Sequence, residues 1–376
     1  MARNLTGPEE LPNALRTVIE DDAREAEAQG NMTTRVCNAL RDAGAFRLLT
    51  PKEFGGWETP LTTSLAIYEE FGRINASVGA VVWNLNMGFV AALLPEAGAR
   101  RIFDGEREPI LANSGTPGTA HRVEGGYRLS GRWPIISGVD FADWVVLVVA
   151  IPENDQPQPW FVVVHREQFT IDFSWDVTAM RATGSNGIVL ENAFIPADLA
   201  APLDSTPVID RPLYRGYLPS IVFPGCSAVL LGVAGRALDE VITLVKRKQT
   251  ADGRCAADNQ RVQYLVAKSD TQLSAARLLL RSAAQSLQTS AEHGDPITAS
   301  QRAHLRAAMS HTAQVCGEVL VTAYRLAGSA ALYRSNRIEG LFRDGRALAQ
   351  HGLHSAQFME LSGRVQLDVE PGLPMY

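Results

Sequence analysis

Trp144-Val145-Val146-Leu147-Val148-Val149-Ala150, followed soon after by Trp160-Phe161-Val162-Val163-Val164, decides the fold class of this chain. Both runs are short, apolar and β-branched, as strands in a packed sheet are. Tyr127-Arg128-Leu129-Ser130-Gly131-Arg132-Trp133, just after Gly125-Gly126, reads as a third strand. Turns rich in Gly, Pro, Asn and Asp separate these runs, so 108–208 reads as a β domain.

On both sides of it the period changes. In 1–107, Val18, Ile19, Ala23 and Ala26 recur at helical spacing. Thr33-Thr34 is placed to cap a second helix carrying Val36, Leu40 and Ala43, with Gly44 ending it. A loop punctuated by Pro51, Gly55 and Gly56 follows, then a third helix with Leu65, Tyr68, Glu69, Phe71 and Gly72. The apolar stretch 77–94 is expected to be one long buried helix. In 209–376, a linker over 209–219 precedes four long Ala-, Leu- and Arg-rich segments, 222–248, 260–293, 300–328 and 338–361. Long helices with short connections predict an antiparallel bundle. The tail over 365–376 reads as extended. The fold class is therefore mostly α with a central β domain.

The 376 residues are 46% hydrophobic with a net charge of −6, ordinary for a globular chain with a full core. That charge argues against a nucleic-acid surface, which needs clustered basic residues. Cys37, Cys226, Cys255 and Cys316 are scattered, which favours reduced thiols in a cytoplasmic protein and no metal site. No uninterrupted apolar run reaches the roughly 18–20 residues of a membrane span. There is no GxGxxG after a strand, P-loop, HExxH or GxSxG.

Three motifs sit in order on this frame: Phe46-Arg47-Leu48-Leu49-Thr50-Pro51-Lys52-Glu53-Phe54-Gly55-Gly56, the segment from Gly126 through Trp133-Pro134-Ile135-Ile136-Ser137-Gly138, and Met180-Arg181-Ala182-Thr183-Gly184-Ser185. Together with the helical, β, helical order they resemble the acyl-CoA dehydrogenase superfamily over nearly the whole chain. The resemblance implies an N-terminal helical domain, a middle β-barrel and a C-terminal four-helix bundle.

Within that superfamily the chain resembles the two-component (group D) flavin-dependent monooxygenases. Phe342-Arg343-Asp344-Gly345-Arg346-Ala347-Leu348-Ala349-Gln350-His351 ends in a histidine, and Gly352 stands where many dehydrogenases have their catalytic glutamate. Asn113-Ser114-Gly115-Thr116-Pro117-Gly118-Thr119-Ala120 replaces the dehydrogenase segment that contacts flavin and substrate. The branch implies reduced FMN or FAD, supplied by a separate NAD(P)H-flavin reductase. It also implies dioxygen activation as a flavin C4a-hydroperoxide, a small organic substrate and a homotetramer.

Candidate site residues follow. His351 can hold a substrate hydroxyl, take its proton or steady an oxygenated flavin near neutral pH; the plain alternative is a helix-end histidine. His354 shares its face if the helix runs through Gly352. Ser137 can hydrogen-bond a flavin ring nitrogen, and Gly138 permits close backbone approach. Trp133 covers the flavin ring or is simply a buried turn tryptophan. Asn113 and Ser114 reach a flavin edge or serve a turn. His121 lines the entrance or is exposed.

By resemblance, Arg247 reaches the flavin phosphate of a neighbouring subunit, and Gly328-Ser329 bring backbone amides to it. Helix-end electrostatics and a helix-ending turn are the plain readings of these residues. The resemblance also puts Trp83, Asn84 and Met87 on a wall of the substrate pocket. Polar Asn84 and Asn86 in an apolar stretch require partners. Arg343 and Asp344 read as architectural. Two other functions stay open: an acyl-CoA dehydrogenase or oxidase with bound FAD, whose base would be Glu69, Glu70, Glu318 or Glu339, and a silent homologue that binds a ligand or partner.

Overall fold

The computed structural model describes residues 5–153, 156–216, 218–249 and 253–372; the last part of the expected tail, 373–376, lies outside them. The N-terminal helices are α1 (Leu11–Gln29), α2 (Thr34–Asp42), α3 (Leu61–Ile74), α4 (Ala76–Asn84) and α5 (Glu96–Phe103). Seven strands follow: β1 (Leu111–Val123), β2 (Gly126–Trp133), β3 (Trp144–Glu153), β4 (Gln156–His165), β5 (Thr170–Asp172), β6 (Gly187–Pro196) and β7 (Ala200–Pro202). Then come α6 (Pro212–Arg215), α7 (Leu218–Val222), α8 (Pro224–Val245), α9 (Gln260–His293), α10 (Ala299–Ala327), α11 (Arg337–Ala349) and α12 (Gln357–Gln366). These residues form two compact units.

The first unit comprises Met1–Pro60, Ala80–Val177 and Arg181–Leu218. Thr33 caps α2 by accepting the Val36 amide, and Gly44 turns the chain away at φ 77°. The strands form one sheet in the order β5-β6-β2-β1-β3-β4-β7. β1 joins its two halves: Leu111–Ser114 and Gly118–Thr119 pair parallel with β3, and Ala120–Val123 pair antiparallel with β2. A register shift between Ser114 and Gly118 lets β1 change partners. No pairing of β5 with β7 closes the ring among the described residues, so a single sheet stands where a barrel was expected. Val145, Val146, Leu147, Val149, Val162, Val163 and Val164 are buried, which accounts for the unbroken apolar runs that marked these strands.

The stretch 77–94 is not one helix. α4 ends at Asn84, and a short 3-10 turn, Gly88–Ala92, follows. Asn86 sits at the break, 0% exposed, with its amide nitrogen and oxygen both engaged. Its Nδ2 donates to Ala45 O at 2.8 Å and Val82 O at 2.7 Å, and its Oδ1 accepts the Leu48 amide at 2.7 Å. A buried amide that satisfies three backbone groups takes the chain out of helical register.

The second unit comprises Leu61–Gly79, Thr178–Met180 and Pro219–Tyr376. α8 and α3 meet backbone to backbone: a Cβ on Gly232 would lie 1.9 Å from Glu69 O, and one on Gly72 would lie 2.2 Å from Val229 O. Asn259 caps α9, and Thr298 with Gln301 forms a capping box on α10.

Pro219–Val245 and Ala299–Leu332 are each long and apolar enough to cross a membrane by length and composition, though charged residues interrupt both. The most apolar window of the first is 89% buried, and a helix covered on all sides is apolar all round. One expectation changes here. The fourth bundle segment, 338–361, is broken into α11, a 3-10 turn (Gly352–His354) and α12. His351 leaves the helix at φ −56°, ψ 140°.

Candidate active site

In the first unit, the turn after β2 carries the polar centre. Ile136 is fully buried, and its amide bonds Asn186 O at 3.0 Å, while the Gly138 amide bonds Thr183 O at 2.8 Å. Between them, Ser137 is half-buried. Its carbonyl accepts from Asn84 Nδ2 at 3.1 Å, and Asn113 Nδ2 donates to Asn84 O and Oδ1 at 2.7 and 3.0 Å. Ser137 Oγ lies 2.9 Å from Ser185 Oγ, which lies 2.7 Å from Thr183 Oγ1. The Asp140 carboxylate, just beyond, accepts from Asn31 at 2.6 Å and Asn186 at 2.9 Å. Asn84, Asn113 and Ser137 therefore form one network.

The same turn is strained. Ile135 has φ 56°, a region hostile to a β-branched residue, and its side chain is 66% exposed. An exposed apolar group thus stands two residues from a hydroxyl with hydrogen-bond capacity beyond its bond to Ser185. That pairing of apolar surface and polar edge suits a flavin ring system.

In the second unit, the chemistry gathers around the 3-10 turn. His354 is 7% exposed; its ring nitrogens reach Leu348 O (Nδ1, 3.2 Å) and Ser227 Oγ (Nε2, 2.9 Å). A carbonyl only accepts, so Nδ1 carries the proton and Nε2 accepts from Ser227. Burial first, then the neighbouring His351 and Arg306, push its pKa down to about 4. His351 is exposed, yet closely surrounded on its inner side. Burial and then Arg306 lower its pKa. Its Nδ1 accepts the Leu353 amide at 3.2 Å, which leaves Nε2–H as the donor of the neutral ring.

Arg306, 4% exposed, stacks with its guanidinium 3.4 Å from the Phe358 ring centroid and 4.8 Å from that of Phe223. Ser310 Oγ donates to Ser355 O at 2.9 Å and ties the turn to α10. A cavity of about 670 Å³ opens along α10 and α11, lined among others by Ser310, Gln314, Arg346, His354 and Met359.

Other candidates are placed differently. Trp133 is 2% exposed, its ring so close to β-sheet glycines that a Cβ on Gly118 or Gly131 would come within 2.4 or 2.7 Å of it. No face of that ring is open to cover a cofactor. Trp83 and Met87 are buried, 7% and 4% exposed. Ser114 is 5% exposed, and its hydroxyl accepts the Thr116 amide. At Gly138, φ 73°, the close neighbours are Leu85 and Val81 of its own unit. His121 is exposed on β1. Arg247, Gly328 and Ser329 are exposed, and Gly328 (φ 59°, ψ −137°) adopts a backbone reserved for glycine.

Arg343 and Asp344 hold the 178–180 segment through Thr178 O (2.6 Å) and the Met180 amide (2.8 Å). The alternative bases are engaged: Glu69 accepts from Arg277 at 2.6 Å and Arg281 at 3.0 Å, and Glu339 pairs with Arg343.

Sequence reasoning assigned no role to Thr183, Ser185, Ser227, Arg306 or Lys248. The first two lay inside a quoted motif, where their hydroxyls were a usable signal. Nothing local marks Ser227 or Arg306. Lys248 donates from Nζ to Ala327 O at 3.0 Å beside Gly328.

The family model "Acyl-CoA dehydrogenase, N-terminal domain" matches residues 9–101, and "Acyl-CoA dehydrogenase, C-terminal domain" matches 225–356. Indole-3-acetate monooxygenase from Pseudomonas putida is 29% identical, covering 96% of this chain and 94% of that protein. The oxygenase component of an FADH(2)-dependent resorcinol hydroxylase from Rhizobium sp. is 25% identical, covering 94% and 92%. The structure of XiaF from Streptomyces sp., in complex with FADH2 and glycerol, has the same fold, with a TM-score of 0.91 at 24% identity and coverage of 98% and 97%. The chain belongs to the acyl-CoA dehydrogenase superfamily, and the relatives it matches include oxygenase subunits of flavin-dependent monooxygenases.

Proposed function

We propose that this protein is the oxygenase component of a two-component monooxygenase that uses reduced FMN or FAD to oxygenate a small organic substrate. The observation that carries the reading is the Ser137 turn: an anchored hydroxyl beside an apolar side chain held outward at a strained φ. Relatives named as an oxygenase component support a separate NAD(P)H-flavin reductase as the electron source. Bound reduced flavin supplies the electrons that activate dioxygen.

The chain's own residues supply position and protons. Ser137, with Asn84 and Asn113 behind it, holds the polar edge of the ring. His351, kept neutral near pH 7 by burial and Arg306, offers Nε2–H to a substrate oxygen. His354 does not meet substrate through its nitrogens, since both are bonded internally.

Flavin reductase, NADH, FMN or FAD and oxygen should support oxygenation of an aromatic panel that includes indole-3-acetate and resorcinol. His351→Ala should divert reducing equivalents to hydrogen peroxide. Coupled turnover by that variant equal to the unaltered protein's would remove His351 from the reaction.

Self-association to a homotetramer completes the reading. Arg247, Gly328 and Ser329 lie exposed near Lys248, where the family resemblance brings such residues to a neighbour's cofactor. Light scattering should return the tetramer mass; a monomer at micromolar concentration would leave these three residues without that role.

A further inference from the structure

The Ser137 hydroxyl does not end at Ser185. Ser185 Oγ has a hydroxyl on each side, Ser137 at 2.9 Å and Thr183 at 2.7 Å, and either atom of each pair can be the donor. Thr183 and Ser185 are 2% and 3% exposed, so bulk water does not compete for these bonds. The heavy atoms at both ends are pinned. Asn84 holds Ser137 O, and Thr183 O accepts the Gly138 amide.

Each hydroxyl has one proton, so the chain has two coherent directions. Running from Thr183 towards Ser137, it leaves the Ser137 proton free to donate outward. Running from Ser137 towards Thr183, it leaves a Ser137 lone pair free to accept. Reversal rotates hydroxyl protons and moves no heavy atom.

We infer that the Ser137–Ser185–Thr183 chain lets Ser137 switch between donor and acceptor, so that one site can face a ring nitrogen with or without its proton. The inference rests on the flavin reading of this turn. An oxidised flavin presents an unprotonated nitrogen at its central ring, and the fully reduced form presents N–H there. Against the oxidised form Ser137 donates and needs nothing behind it except an optional donor. Against the reduced form it accepts, and its own proton then requires Ser185 as acceptor. Ser185 and Thr183 are thus positioning residues for reduced-cofactor preference.

The test is a titration of the full-length protein with oxidised FMN and FAD, and with both after anaerobic reduction by dithionite. Ser185→Ala should weaken the reduced form about tenfold, the ordinary effect of a buried hydroxyl proton left without an acceptor, and the oxidised form much less. A tenfold change in that ratio lowers the two-electron potential of the bound flavin by ~30 mV. Thr183→Val should act in the same direction, and Thr183→Ser should restore the ratio. Equal losses for both forms, or no loss, would overturn the switch and leave the flavin site standing. Failure of the unaltered protein to bind either form would instead overturn the flavin reading.

Discussion

His351 and His354 stand with ring centroids 6.3 Å apart, inclined at 68°, and hold their protons on opposite nitrogens. Leu353 donates to Nδ1 of the first, and Leu348 O accepts from Nδ1 of the second. Three residues of spacing therefore separate an exposed histidine from a buried one whose two ring nitrogens are both engaged. The pair divides labour that the sequence alone could not divide.

His354 should give acid sensitivity. Its folded pKa of about 4 lies below the ordinary 6.5, so the folded state binds fewer protons there. Its contribution to stability is complete above about pH 6.5 and is lost as pH falls towards about 4, on the order of 3 kcal/mol in all. Urea unfolding at a series of pH values should show this slope in the unaltered protein, and His354→Gln should flatten it.

Asp344 should be architectural. Its carboxylate accepts the Met180 amide where Met180 has φ 53°, a strained position for a side-chain-bearing residue. Asp344→Ala should cost about 1–3 kcal/mol by stranding that amide. Asp344→Asn keeps an acceptor oxygen and should restore most of it, as read by thermal or denaturant unfolding.

Glu69 should be a structural anion and not a base. It is 5% exposed and held by Arg277 and Arg281. Glu69→Ala should destabilise by roughly 3–5 kcal/mol, the range for breaking a buried ion pair from one side. Residual folded Glu69→Gln should still turn over, whereas its complete inactivity with stability intact would reopen the dehydrogenase reading.

Asn84 should act on binding more than on folding. It is half-buried and joins Ser137 O to Asn113. Asn84→Ala removes two hydrogen-bonded links and should weaken flavin affinity about tenfold for a loss near 1–2 kcal/mol. Spectral titration, compared with the melting temperature of the same variant, separates the two effects.

Much of the fold was legible because its signals are local. α9 runs over the residues its polar ends and period mark, from Asn259 as cap to Gly294 at φ 76°. Thr33 caps α2 as its position predicts. β6 was missed because Glu191 and Asn192 interrupt its apolar residues and its paired partner, β2, lies far off in sequence. The break after Asn84 was missed because the partners of Asn86, Ala45 and Leu48, lie about 40 residues away, and no local pattern shows them. Trp133 was over-read: Gly131 two residues before it and Gly118 on the neighbouring β1 make room for its buried ring, and the second of these no local pattern shows.

By itself the sequence determined the order of helical, β and helical segments, the caps and turns, and the family motifs around Ser137 and His351. Those depend on period, side-chain size and backbone preference, all properties of neighbours in the chain. Tertiary structure alone decided which hydroxyl stands behind Ser137, which histidine is buried with both nitrogens engaged, and which tryptophan is used up by the core. These are matters of hydrogen-bond partners brought from distant segments, and a proton's place on a ring or hydroxyl is set by that partner rather than by the residue that carries it.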